Sequence, residues 1–112
     1  MDSDRRGQWL RGVLDICVLA LLADRESYGY QLAQALDAAG VGPIQGGTLY
    51  PVLLRLQKTG LVCAQWREGN AGPARKYYRL TDDGYAALRT GGNAWLTFVQ
   101  PVNDIVTKGV TR

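Results

Sequence analysis

The stretch QGGTLYPVLLRLQKTGLVCAQWREGNAGPARKYYRL, residues 45–80, carries two periodicities in succession. In its first half Leu49, Val52, Leu53 and Leu56 recur at i, i+3, i+4 and i+7, the apolar stripe of an α-helix. At 100° per residue the opposite side holds Gly47, Pro51, Leu54, Arg55 and Lys58. Pro51 lacks an N–H and clashes in a helix interior, so the helix is expected to begin only shortly before it, at residues 46–48. Thr59-Gly60 is a stop signal, with Lys58 near the negative end of the helix dipole. The period then falls to 2. Residues 61–66 and 76–80 are short runs of β-formers separated by Glu68-Gly69-Asn70-Ala71-Gly72-Pro73, which together predict a β-hairpin with Arg75 and Lys76 on its far shoulder. A helix followed by a hairpin with a basic rim is the closing half of a winged helix-turn-helix.

Upstream, residues 9–24 read as a helix with Leu10, Val13, Leu14, Cys17 and Leu21 on one face and Ile16, Leu19, Ala20 and Ala23 filling most of the rest. A helix apolar nearly all round is covered on more than one side. Ser27 is the expected cap of a second helix reaching about Ala39, with Tyr30, Leu32, Ala33, Leu36 and Ala39 facing inward. Gly40-Val41-Gly42-Pro43 makes the turn into the third helix, and Ile44 plugs the core. Residues 1–8 are expected to form a flexible N-terminal arm carrying Arg5 and Arg6. Downstream, Thr81-Asp82-Asp83 reads as a cap and an acidic first turn. Tyr85, Leu88, Trp95, Val99, Val102 and Ile105 follow at near-heptad spacing, with Phe98 and Val106 beside them. Gly91-Gly92 and Pro101 interrupt the run, which leaves open whether the helix is straight, kinked or in two pieces. Beyond a complete domain such a helix has nothing in its own chain to bury against. The expected fold is therefore mainly α (α+β): a winged helix-turn-helix over residues 9–80 and a C-terminal dimerisation helix over residues 81–112.

Composition narrows the function. A chain of 112 residues is one domain with a limited core, and 46% apolar content is that of a globular protein. The net charge is only +3, but residues 45–80 hold six cations against the single carboxylate Glu68. A basic face on a near-neutral body fits a polyanion. Cys17 and Cys63 are expected to be reduced thiols. There is no secretory leader pattern, and the apolar tract at residues 16–23 is far short of the ~20 residues of a membrane span, so the expected location is cytoplasmic. There is no histidine, no phosphate-binding Gly-Lys loop and no cysteine pair at metal spacing. An enzyme is not expected, and no cofactor or metal is called for. A winged helix used only for protein–protein contact remains the alternative.

Four pieces of the chain together resemble the PadR family of bacterial transcriptional regulators. They are Tyr28-Gly29-Tyr30-Gln31-Leu32; Gly47-Thr48-Leu49-Tyr50-Pro51 with Leu53 and Arg55-Leu56; Gly60-Leu61-Val62; and Arg75-Lys76-Tyr77-Tyr78-Arg79-Leu80-Thr81 with Gly84. The short tail is similar to the compact subgroup having a single C-terminal helix. The resemblance implies a homodimeric repressor whose third helices enter neighbouring major grooves of a palindromic double-stranded operator, with the wings on the flanking backbone. The residues themselves offer Arg55 and Lys58 on the outward face for guanine or phosphate, and Gln45 and Thr48 near the helix start. Gly47 lets the backbone approach closely, and Pro51 lies on the same side. Tyr50 either donates its hydroxyl to phosphate or packs its ring against the wing. Arg75 and Lys76 are the wing's expected phosphate contacts, while Arg67 and Arg79 pair locally with Glu68 or the acidic first turn of the last helix. The expected dimer interface comprises Leu10, Leu14, Leu88, Trp95, Val99, Val102, Ile105 and Val106. By resemblance, an effector pocket for a small planar aromatic molecule would be lined by Trp95, Phe98 and Val99 with Leu14 or Asp15. The alternative for Trp95 is simple filling of the interface.

Overall fold

A computed structural model of the chain describes residues 2–69 and 71–112. Eight elements follow in order: α1 (Asp2–Leu10), α2 (Leu14–Asp24), β1 (Ser27–Tyr28), α3 (Gly29–Ala38), α4 (Gly46–Lys58), β2 (Val62–Gly69), β3 (Gly72–Leu80) and α5 (Asp82–Val110). The core is built on α2 and α4. Leu49, Val52, Leu53 and Leu56, the stripe that announces α4, are all buried, and they meet Val18, Leu19 and Leu22 of α2 and Leu32 and Leu36 of α3. As its composition requires, α2 is enclosed on several sides, touching α3, α4, β3 and α5.

Several expectations are corrected. The first helix is two: α1 occupies most of the stretch read as an arm, and the chain turns at residues 11–13 before α2. Backbone bonds from Gly12 to Trp9 and from Val13 to Leu10 close that turn. Met1 lies outside the described residues. The turn also folds Leu10 and Leu14 into the chain's own core, where the dimer reading had placed them at an interface. Ser27 does not cap α3. It lies in β1, a two-residue strand pairing Ser27 with Tyr78 and Tyr28 with Tyr77. Tyr28 takes the cap position, its N–H donating to Gln31 Oε1 at 3.2 Å. Tyr30 and Ala39 point outward rather than inward.

The three strands form an antiparallel sheet in the order β1-β3-β2. The wing is longer than its sequence suggests. β2 runs to Gly69 and β3 starts at Gly72, so four of the six residues read as loop do not belong to the connection; Asn70 lies outside the described residues. Helix α5 is one element of 29 residues despite Gly91-Gly92 and Pro101. Gly91 is placed against Ile16 of α2, where a small residue suits close packing. Pro101 lies on an exposed stretch, where water can satisfy the carbonyl that loses its partner. Thr81 caps α5 as read, its Oγ1 accepting from Gly84 N–H at 3.1 Å and donating to the Gly60 carbonyl at 2.6 Å.

Candidate nucleic-acid interface

With one stripe of α4 buried, the helix must present the other. Its exposed residues are Gly46, Gly47, Thr48, Tyr50, Pro51, Leu54, Arg55 and Lys58, with Gln45 exposed at the N-cap. No side chain caps this helix start, and a Cβ added at Gly47 would meet nothing within 4 Å. The start of α4 is thus open backbone, free for close approach by another surface.

Each flank of α4 borders a cleft. On one side lies a cavity of about 530 Å³ between α1, α2 and α4. Leu10, Leu14, Ile44 and Val52 form its apolar part, and Arg6, Arg11, Asp15, Gln45, Thr48 and Arg55 form its polar part. Here Arg55 departs from the sequence reading. Its guanidinium does not extend freely outward: Nη2 donates to Asp15 Oδ1 at 2.6 Å. At 100° per residue Arg55 sits on the shoulder of α4 beside Thr48, not at the centre of the exposed face. Arg6 Nη1 donates to the Gly42 carbonyl, tying α1 to the turn before α4.

On the other side a cavity of about 440 Å³ separates α4 from the wing, lined by Tyr28, Gly29, Tyr50, Trp66, Ala74, Arg75, Lys76 and Tyr78. Tyr50 resolves between its two readings in an unforeseen way. Its ring lies across Gly29 at the start of α3, where any Cβ would come within 2.5 Å of the hydroxyl. It also leaves 51% of its surface exposed, so packing and an available hydroxyl coexist.

Alternation along the ribbon separates the wing's two candidate cations. Lys76 opposes Trp66 and lies 5.4 Å from the ring of Tyr78. Arg75 opposes Arg67 on the other face. Two like charges directly opposite are unfavourable, and each guanidinium is accommodated separately. Arg75 stacks over Tyr28 and Arg67 over Tyr77, both at 4.6 Å. The two tyrosines meet edge-on at 5.3 Å. Arg67 also pairs with Glu26 at 2.5 Å, not with Glu68 or the start of α5. That hydrogen bond holds the Glu26 carboxyl below its ordinary range, with Arg79 adding a smaller electrostatic pull.

Trp66 is the residue that sequence reasoning missed. It is 65% exposed in the groove between wing and helix. Its parity with Lys76 could have flagged it, but only once the strand register was known.

The proposed effector residues are not all brought together. Trp95 and Phe98 are neighbours on α5, their ring centroids 6.4 Å apart, and Val99 is half-buried beside them. Leu14 and Asp15 instead line the cleft against α4. Of the interface residues, Leu88, Trp95 and Val99 are half-buried, while Val102, Ile105 and Val106 are exposed. Burial pushes the Cys17 thiol above its usual value.

Known proteins share this fold. A transcriptional regulator of Mycobacterium tuberculosis is 38% identical over 81 residues, covering 72% of this chain and 74% of the relative. The crystal structure of a PadR-like transcriptional regulator from Bacillus cereus matches with a TM-score of 0.78 and 36% identity over 88% of this chain and 96% of that one. A PadR family regulator from Eggerthella lenta gives a TM-score of 0.80 and 36% identity over 93% and 90%. These relatives are regulators of transcription, not enzymes, and the transcriptional regulator PadR-like family is matched over residues 18–90. The chain thus belongs to the PadR-like family of transcriptional regulators.

Proposed function

We propose that the protein is a sequence-specific, homodimeric repressor acting in the cytoplasm, with α4 seated in the major groove of a two-fold symmetric operator. The observation that carries this reading is the exposed stripe of α4 flanked by a cation-bearing cleft on each side. An α-helix fills the major groove, and its flanks then lie against the two phosphate walls. Gln45, Gly47, Thr48 and Pro51 approach base edges from the first turns, while Lys58 and Arg55 follow further along. Arg75 and Lys76 hold the flanking backbone, with Tyr50 and Trp66 offering a hydroxyl and an indole N–H in the groove between. Phosphate neutralisation releases counterions, so affinity falls steeply with salt. Arg75→Ala and Lys76→Ala should each weaken binding to all sequences alike and flatten the slope of log K against log salt by about 1. Selection of bound duplexes from a random pool tests the assignment: an enriched two-fold site supports it. No retention of any duplex at low ionic strength would favour a protein-contact module instead.

Dimerisation through the exposed apolar side of α5 supplies the two-fold symmetry. Release of the operator is assigned to a planar aromatic effector stacking near Trp95, Phe98 and Val99 at that junction. Quenching of tryptophan fluorescence by such compounds, lost in Trp95→Ala, is the expected result. Quenching that survives the substitution removes the pocket from this position, since Trp9 and Trp66 also emit.

A further inference from the structure

Arg55 already has a partner. Its Nη2 is 2.6 Å from Asp15 Oδ1, and the two side chains are 54% and 39% exposed. An ion pair this open to water is weak and readily exchanged. Asp15 is the one acidic side chain among the described residues lining the cleft on this flank of α4, where Arg6, Arg11 and Arg55 gather with Gln45 and Thr48. It also stands in the first turn of α2, where the helix dipole favours negative charge. A duplex seated on α4 brings phosphates to this flank, so freeing Arg55 for DNA leaves an unpaired carboxylate close to a polyanion.

We infer that Asp15 is a specificity-determining residue that restrains Arg55, releasing it only to a site able to replace the lost pairing. This rests on the reading of α4 as the DNA-facing helix. A guanine edge presents two acceptors, O6 and N7, in the geometry of a guanidinium fork, and it repays the exchange. An isolated phosphate offers less, and Asp15 repels it. The carboxylate thus penalises non-specific duplexes more than the preferred one, and discrimination rises although absolute affinity does not.

The test measures binding of wild type, Asp15→Asn, Arg55→Lys and Arg55→Ala to the selected duplex and to a scrambled one, at two salt concentrations. Asp15→Asn keeps the side chain's volume, and thermal melts verify that each variant is folded. The expected result is that Asp15→Asn binds the scrambled duplex roughly two- to fivefold more tightly, the size of an exposed ion pair, with a smaller gain on the selected duplex. Arg55→Lys keeps a charge without the fork, so it should retain scrambled binding and lose preference. Asp15→Asn weakening both duplexes would overturn the inference, because Asp15 would then be positioning Arg55. Equal affinities for wild type and Asp15→Asn on both duplexes would overturn it as well. Failure of wild type to bind any duplex is a different result, and it removes the underlying assignment of α4.

Discussion

Gly84 is small because the carbonyl of Leu61 occupies the space of a side chain: a Cβ there would lie 2.0 Å from that oxygen. The same carbonyl accepts from Thr81 N–H at 3.1 Å, so the chain leaving the wing and the start of α5 are fixed against one turn. Gly84→Ala must push α5 off this seat. A loss of about 3 kcal/mol is expected, the upper range for overpacking a tight site, read as a lower urea midpoint at unchanged m-value. Glu26 makes a second prediction. Its carboxyl titrates lower in the folded chain than in the unfolded one, chiefly through the Arg67 hydrogen bond. The unfolded chain therefore binds more protons, and the pair's contribution is present above the ordinary carboxylate pKa and fades as pH falls through the folded value. The difference in urea midpoint between wild type and Glu26→Gln should shrink between about pH 5 and pH 3, where an unperturbed Glu titrates near 4.3.

Two elements do more than their length suggests. β1 is only two residues, yet it ties the wing to the start of α3. Tyr28 pairs with Tyr77, meets its ring edge-on, carries Arg75 over its own ring and occupies the cap position of α3. Tyr28→Leu keeps the strand hydrogen bonds and removes the aromatic stack, whose edge-on pair alone is worth about 0.5–1.5 kcal/mol. Hydrogen exchange at Lys76, Tyr77 and Tyr78 should accelerate while the α4 core stays protected; uniform loss of protection would indicate global destabilisation instead. The other element is α2. Its neighbouring residues Asp15 and Ile16 meet α4 and α5 respectively, the first through Arg55 and the second against Gly91. One helix thus touches both α4 and the long C-terminal element.

The whole molecule is extended, 57 × 31 × 20 Å, with a radius of gyration of 15.8 Å against about 13 Å for a compact chain of this length. The excess comes from α5, roughly 43 Å of helix at 1.5 Å per residue, whose residues 100–110 are all exposed. Leu96, Phe98, Val102, Ile105, Val106 and Val110 are all exposed along it. In the proposed dimer this uncovered apolar surface is the association face. Under the proposed dimer, the double substitution Ile105→Asp, Val106→Asp should give a folded monomer by sedimentation. Affinity for a two-fold site should fall on the order of a hundredfold, since linked half-sites are lost. A dimer persisting in that variant would place the interface elsewhere.

Local rules sufficed for the elements whose evidence is local. The 3.6-residue repeat specified the buried side of α4, alternation specified the hairpin, and Thr81 with its acidic neighbours specified the start of α5. What the sequence alone left hidden depends on partners distant along the chain. β1 exists because β3 offers Ser27 and Tyr28 an open edge, though two residues carry no periodicity of their own. Trp66 joins the candidate interface through cross-strand register. Arg55 turns toward Asp15, forty positions earlier, because packing α2 on α4 sets an opposite charge within its reach. Periodicity and capping are written over a few neighbouring residues, whereas charge pairing and exposure follow from how helices and strands are brought together in space.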